Sequence, residues 1–468
     1  MRLIVALFLL SMLYLASCRN DEFDYSPDIS LRFSTDSVVF DTIFSGIGSA
    51  TKGFMVYNPS DKIIKISEIK LGKEEQSKYR INIDGLAADV AHNIEIAGKD
   101  SMYLFVEVTI NTDKDMLLEQ DSIVFETNGN IQDIKLLAWG QDVHLINAQI
   151  IDNETWTDEK PYLVYNSMLV DTGRTLNIEA GTKIYFHRGS RMYVAGTLLI
   201  DGTIDAPVVL QGDRLEYMYN DVPGQWEGIW LMNGSRHNDF EYTEIKNAII
   251  GIQVDTLADV NIPTLKLSNS KIEHMSYAGI YARGATVFAS NCLIADCAYY
   301  ALALTIGGSY EFYHCTLANY WQNTFRDSPS VVLNNYYEYE GQAIIRNIEK
   351  ATFANCIIWG DKKDELYFDK YPGMGTMNYY FDHSLIRISD DVVRDPANFI
   401  ACVFNEDPLF VNTEDYDYQL DALSPAIDKA NIDYINLYPT ELTYDITGFE
   451  RLLNTKADIG VFERIGEN

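Results

Sequence analysis

The sequence predicts an all-β protein in two parts: a β-sandwich over residues 30–145 and a right-handed parallel β-helix over residues 146–402. Three observations carry this. First, a polar residue followed by a small one, with an apolar residue two positions further on, recurs at Asn269-Ser270, Asn291-Cys292, His314-Cys315, Asn355-Cys356 and His383-Ser384. The first three of these pairs lie 22 and 23 positions apart (269 to 291, 291 to 314), one coil of a solenoid rather than one helical hairpin. Second, the runs between them are short, rich in β-branched and aromatic residues, and broken by Gly, Asn and Asp. Third, no segment keeps apolar residues at 3.6 spacing over ten or more positions, as a helical solenoid requires.

Taken in order, the chain opens on Arg2 and the apolar run "LIVALFLLSMLYLAS", which is too short and too early for a spanning helix. It ends in Leu15-Ala16-Ser17-Cys18, which resembles a bacterial lipobox: small residues to fit the peptidase, and a thiol to accept the lipid. The resemblance implies a signal peptide over 1–18, lipidation of Cys18, and a membrane partner reached through the acyl chains. The following "RNDEFD", within a tether of 19–29, resembles the export tethers of Bacteroidetes surface lipoproteins. That implies an outer-membrane lipoprotein facing the cell exterior.

Residues 30–145 read as "SVVFDTIFSG", "TKGFMVYNPSD", "IIKISEIKLG", "YRINIDG", "SMYLFVEVTI", "DSIVFETNG" and "IKLLAWGQDV", the habit of an antiparallel sandwich. "VYNPSDKIIKISEI", "IAGKDSMYLFVEV" and "IKLLAWGQ" resemble the Ig-like repeats related to the ASPM, SPD-2 and hydin proteins, which implies a spacer or docking module. His92 and His144 are isolated, and no chemistry is read here.

From residue 150, "TLNIEAGTKIYF", "RMYVAGTLLIDGT" and "APVVLQGD" alternate and break at Gly and Asp. In a parallel β-helix each coil stacks its inward residues on the next, about 4.8 Å away. Ile272, Ile294, Leu317, Ile358 and Leu385 or Ile386 form the expected core ladder. The small residue of each repeat suits a tight interior corner, so Cys292, Cys315 and Cys356 should form a column of thiols, each beside an Asn or His that satisfies the turn. A Cys–His catalytic pair at His314-Cys315 is disfavoured, because neighbours in a strand point to opposite faces. Six cysteines less Cys18 leave five, with no zinc-type spacing.

"GQWEGIW" from Gly224 resembles a segment of bacterial β-helix surface proteins. "DPLFVN", "DYQL", "SPAID", "DITGFER" and "ADIGVFE" then follow in order between Asp407 and Glu463. Together they resemble the C-terminal signature of the choice-of-anchor Q proteins. The resemblance implies a β-helix and a surface location, and no catalytic residue can be carried over from it. Residues 403–468 are expected to cap the open end of the solenoid, with Asp407, Asp428, Asp445 and Asp458 closing turns and Arg451 as an internal ion-pair partner.

Insertions at 255–264, 327–350 and 369–379 are read as leaving one corner of the coils, after strands ending at Val254, Phe325 and Phe368, and hence as neighbours along one edge. They are dense in tyrosine. The candidate ligand-binding residues are Tyr320, Trp321, Tyr336, Tyr337, Tyr339, Tyr367, Tyr371, Tyr379 and Tyr380, since aromatic faces beside Asn, Asp and Gln suit sugar rings. The competing reading packs these tyrosines onto the solenoid or against a protein partner. A third reading is enzymatic and resembles the pectate-lyase-like β-helices: Asp255, Asp327 and Asp369, near Arg283 and Arg326, would supply carboxylates to a polysaccharide lyase or glycoside hydrolase. Against it, the paired "DD" and "GHG" motifs of polygalacturonases are absent.

The formal net charge of −32 repels nucleic acid and anionic polysaccharide. No cofactor or metal site is called for, with calcium alone left open as a bridging ion. The sequence therefore points to a surface lipoprotein that binds a glycan or a cell-surface protein, with catalysis and a purely structural envelope role as the alternatives.

Overall fold

The computed structural model describes residues 22–111, 116–255, 262–453 and 455–464, so the leader and Cys18 lie outside the described residues. The chain forms two compact units, divided between Val143 and His144. The first is a sandwich of two five-stranded sheets. One runs Arg32–Phe33, Lys52–Tyr57, Ser101–Val108, Tyr79–Ile83, Leu86–Ala87, and the other Ser37–Phe44, Asn130–Gln141, Met116–Thr127, Ile64–Leu71, Val90–Ile96. All pairings are antiparallel except that of Ser37–Phe44 with Asn130–Gln141. Strand alternation builds its core: Met102, Leu104, Val106 and Val108 are buried while Tyr103 and Phe105 face out. Each fully buried aliphatic contributes about 1.5–3 kcal/mol.

The second unit is a parallel β-helix with three faces. Face A carries Lys183–Phe186, Val208–Gly212, Thr243–Lys246, Lys271–Met275, Leu293–Cys297, Thr316–Asn319, Ile357–Gly360, Leu385–Ile386 and Val403–Phe404. Face B carries Arg191–Val194, Gly228–Leu231, Ile250–Val254, Ala278–Arg283, Tyr300–Thr305, Val331–Asn334 and Leu366–Asp369. Face C runs from Glu154–Trp156 through Thr197–Asp201, Asn238–Glu241 and Leu265–Ser268 to Met377–Asp382 and Phe399–Ile400. The predicted core ladder is present: Ile272, Ile294, Leu317, Ile358 and Ile386 pair coil to coil and are fully buried. Stacked rings extend the core on face C, where Phe312, Phe353, Phe381 and Phe399 lie 4.9–5.1 Å apart.

The repeat motif is the corner from face C to face A, turned by one residue. Tyr242, Asn269, Asn291, His314, Asn355, His383 and Ala401 all hold φ between 42° and 56°. This is the left-handed region, where Asn and His are tolerated better than β-branched residues. The residue after each points inward, and its O–H or S–H reaches back to the carbonyl two positions before. Ser270 bonds Ser268 O at 2.7 Å, Cys292 bonds Ser290 O at 3.1 Å, and Cys315 bonds Tyr313 O at 3.4 Å. Cys356 bonds Ala354 O at 3.3 Å, Ser384 bonds Asp382 O at 3.1 Å, and Cys402 bonds Ile400 O at 3.5 Å. The column therefore selects for a hydrogen-bond donor as well as for small size. Burial holds the Cys292 and Cys356 thiols well above their ordinary pKa. His314 points the other way, its Nδ1 3.3 Å from Gly460 O and its Nε2 2.8 Å from Asn355 Nδ2. Burial and Arg451 push its pKa far down, so the ring is neutral and structural.

Residues 405–453 and 455–464 do not follow the expectation of an end cap. They run back along the flank of the solenoid as a lateral strap. Tyr418, Ile446 and Val461 pack on Leu293, Ala295 and Ala318 of face A. Leu420, Ala426 and Ile459 pack on Ile357, Trp359 and Leu385. Two short helices, Asp433–Leu437 and Pro439–Leu442, place Ile435 and Leu442 beside Tyr313 and Ala354 at the C–A corner. The physical reason is that face A is apolar on both sides here, as in "CLIADC", "CTLANYW" and "CIIWG", so its outer side needs a cover. Arg451 is the expected internal ion-pair partner, but it also ties the strap to the corner. It is buried, 3.4 Å from Glu463, and donates to Asn291 Oδ1 at 2.8 Å and Val461 O at 3.0 Å.

Candidate functional site

The strap covers face A from Leu293 onward, while face B is partly open to solvent at Tyr193, Trp230, Gln253, Tyr281 and Tyr367 and buried at Ala303 and Val332 between them. Its strands enter through Gly-Ile-x: Gly228-Ile229-Trp230, Gly251-Ile252-Gln253 and Gly279-Ile280-Tyr281. The isoleucine fills the core and the third residue points out. Gly228 is required, because at φ 100° a Cβ would lie 1.6 Å from Ile250 O. Coil-to-coil pairing then puts Tyr193, Trp230, Gln253, Tyr281, Ala303, Val332 and Tyr367 in one outward row. Tyr277, Tyr299 and Tyr300 gather at the A–B border of this row, with Tyr277 centroids 5.9 Å from Tyr281, 5.3 Å from Tyr299 and 6.1 Å from Tyr300. Tyr299 is 50% exposed and Tyr367 55%.

The row is held rigidly. The Arg191 guanidinium sits 5.8 Å from the Tyr193 ring and 5.5 Å from that of Trp230, and pairs with Glu227 at 2.9 Å. One oxygen of Asp255 accepts from Trp230 Nε1 at 3.0 Å, Gln253 Nε2 at 2.8 Å and Arg283 Nη1 at 3.3 Å. At the far end Asp369 accepts from Asn334 at 2.8 Å and from Tyr336 Oη at 3.1 Å. Tyr336 meets Tyr371 edge-on at 5.3 Å. The Tyr300 phenol titrates above its ordinary value through burial, then through Tyr281 and Asp369 nearby.

The sequence-predicted residues divide between corners. Asp255, Asp369 and the loops 335–347 and 370–376 do leave one corner, B to C. Tyr337 and Tyr339 project there on a hairpin, Tyr336–Tyr339 paired with Gln342–Ile345, and Tyr339 is 61% exposed. Asp327 does not belong with them. Phe325 ends no strand; residues 320–330 cross the A–B corner instead, anchored by buried Arg326 on Glu365 and Asp361. Tyr320 lies against Phe410 and Tyr418 of the strap, and Trp321 is buried with its Nε1 on Thr324, so neither is free for a ligand. Tyr379 packs on Phe368 and Phe381 from face C, and Tyr380 points out of face C toward Tyr434.

The carboxylate pair expected at that corner is not formed. Asp255 and Asp369 follow Val254 and Phe368, which are joined through Ala282, Leu304 and Leu333. Four coil steps put them about 19 Å apart, well beyond the ≈ 5–9.5 Å that glycoside hydrolysis needs. Arg283 serves Asp255 alone.

A closer carboxylate group, missed in the sequence, lies on face C. Glu179, Asp201 and Glu241 stack in register and Asp239 is two residues from Glu241, at backbone spacings of about 5 and 7 Å. They line a cleft of ≈ 390 Å³ with Thr155, Asn177 and Leu199. Burial first, then neighbouring carboxylates, raise the pKa of Asp239 and of Glu241. Lys266 lies 3.9 Å from Asp239 and 3.4 Å from Glu441 of the strap. Among the described residues no group of acids, histidines and cysteines has the geometry of a metal site. The available signal was the alternation "LLID" and "NDFE", which puts acids outward in neighbouring coils.

Residues 251–406 match the family of right-handed beta helix regions. No curated protein matches the chain. Among solved structures, the catalytic domain of an alpha-1,3-glucanase of glycoside hydrolase family 87, in complex with nigerose, is similar over 72% of this chain and 82% of its own, at 10% identity and a TM-score of 0.17. The E. coli chaperone DraB is similar over 25% of this chain, at 13% identity and a TM-score of 0.18, and the match spans 56% of the chaperone. A family 123 glycoside hydrolase from Clostridium perfringens is similar over 26% of each chain, at 10% identity and a TM-score of 0.18. Similarity at these scores carries no functional argument.

Proposed function

We propose that this protein is a cell-surface glycan-binding β-helix whose ligand lies on face B, held at the outer membrane through lipidated Cys18. One observation carries the reading. The outward row of Tyr193, Trp230 and Tyr281, bordered by Tyr277, Tyr299 and Tyr300, sets aromatic rings beside Gln253, Asp255 and Asp369 on a rigid sheet. Sugar rings stack their C–H faces on aromatic rings, and their hydroxyls bond to amides and carboxylates. A platform already fixed by hydrogen bonds loses little entropy on binding. The test is a glycan array with soluble protein starting after Cys18, wild type against Trp230→Ala and Tyr281→Ala. Binding that survives both substitutions overturns the assignment to face B. No binding to any glycan shifts the function to a protein partner or a structural role.

The carboxylates of face C support a second reading, hydrolysis. They stand on adjacent coils lining one cleft, and Asp239 and Glu241 hold protons more tightly than ordinary acids do, as a general acid must. Released oligosaccharides that vanish in Asp239→Asn and Glu241→Gln would establish it. Unchanged substrate after prolonged incubation would remove it.

A further inference from the structure

We infer that face B is built for an extended uncharged polysaccharide running along the solenoid axis, and that Asp255 and Glu227 exclude polyuronates by neutralising the cations of the face. This rests on the glycan-binding reading above and goes on to name the ligand class. The direction follows from register. Tyr193, Trp230, Gln253 and Tyr281 occupy one position in four successive coils, so the line of the rings crosses the strands. Trp230 and Tyr281 are separated by two coil steps, about 10 Å, with Gln253 between them. A chain following the rings lies along the axis, with hydrogen-bonding groups between its stacking positions.

The charge class follows from the ion pairs. The strands of face B from Arg191 to Asp369 contain two cations, Arg191 and Arg283. Arg191 is held by Glu227 at 2.9 Å and Arg283 by Asp255 at 3.3 Å. A carboxylated sugar would have to break one of these pairs and leave an acid behind. Asp369 adds a further negative charge, already engaged by Asn334 and Tyr336. The chain's net charge of −32 repels a polyanion before contact. An uncharged sugar meets none of these costs and finds the acceptors oriented. Asp255 is a positioning residue here: its bond to Trp230 Nε1 sets the ring on which the sugar stacks.

The experiment measures binding at low salt of two probe sets to the soluble chain. One set is neutral glucan, mannan, xylan and galactan; the other is polygalacturonate and alginate. Wild type is expected to bind at least one neutral polymer roughly tenfold or more tighter than either polyuronate. Glu227→Gln unpairs Arg191 at a partly exposed site, and Asp255→Asn unpairs Arg283 isosterically. Each is expected to gain polyuronate binding that high salt abolishes, and Asp255→Asn also to weaken neutral binding. Polyuronates bound by wild type as well as neutral polymers would overturn the class while leaving the glycan reading intact. Neutral binding with no polyuronate gain in either variant would refute the role of the two ion pairs. Binding of neither set would refute the glycan reading itself.

Discussion

Raising the pH toward 8 should loosen the strap at Asp296. This residue turns the A–B corner at φ 54°, is 2% exposed, and has both carboxyl oxygens near Tyr418 Oη, at 2.7 and 2.8 Å. Burial pushes its pKa from 3.8 up to about 8; the Tyr418 hydrogen bond opposes this, and the nearby Glu273 and Asp221 add to it. Glu273 is itself buried and titrates high. The folded state thus binds a proton that the unfolded state releases at about pH 4. Between those limits the folded state holds more protons, so stability falls as pH rises, by about 1.4 kcal/mol per unit, and levels off above about 8. Between pH 6 and 8 the loss is roughly 2–3 kcal/mol. It falls on the strap, because Tyr418 belongs to it. Asp296→Asn removes the titration, and Asn suits a left-handed corner. Hydrogen exchange of the segment around Tyr418 and Leu420, compared between wild type and Asp296→Asn at each pH, should show protection falling in wild type alone. Equal pH slopes in the two proteins would refute the reasoning.

Three further outcomes follow from the packing. Arg451→Met strands Glu463 and Asp445 without their buried cation and should cost about 3–5 kcal/mol, read by chemical denaturation and by the fluorescence of Trp359 beneath the strap. Cys315→Ser keeps a donor to Tyr313 O and should be tolerated, whereas Cys315→Leu overfills the column and should cost about 1–3 kcal/mol; equal melting temperatures for the two would contradict the size limit of the column. Ile294→Ala opens the centre of the core ladder and should cost about 2–5 kcal/mol, checked by the same denaturation curves.

Much of the solenoid was legible because its interior is written locally. Alternation with period two fixes which residues point in, and stacking of like on like fixes the repeat, so Ile272, Ile294, Leu317 and Ile358 could be read as one ladder. The small residue and the Asn or His before it marked the corner, and the structure adds that this Asn or His makes the turn alone in a left-handed conformation. The donor function of Cys292, Cys315 and Cys356 was not legible, because size alone also explains those residues. Phe325 shows where local reading fails. It carries a strand-like pattern, yet Arg326 pairs with Glu365 and Asp361 from a later coil and turns the segment into a loop at another corner. That moved Asp327 away from Asp255 and Asp369.

The sequence by itself determined the all-β architecture, the coil length, the inward ladder and the position of the tight corner, because each depends on contacts between equivalent positions in adjacent repeats. Only the tertiary structure decided that Tyr193, Trp230 and Tyr281 share a row, that Asp255 and Asp369 stand four coils apart, and that Tyr418, Leu420, Ala426, Ile446, Ile459 and Val461 lie along face A. Outward side chains obey no stacking rule of their own. Their neighbours depend on how many residues each coil spends at each corner, and on which apolar surface remains to be covered once the coils have closed.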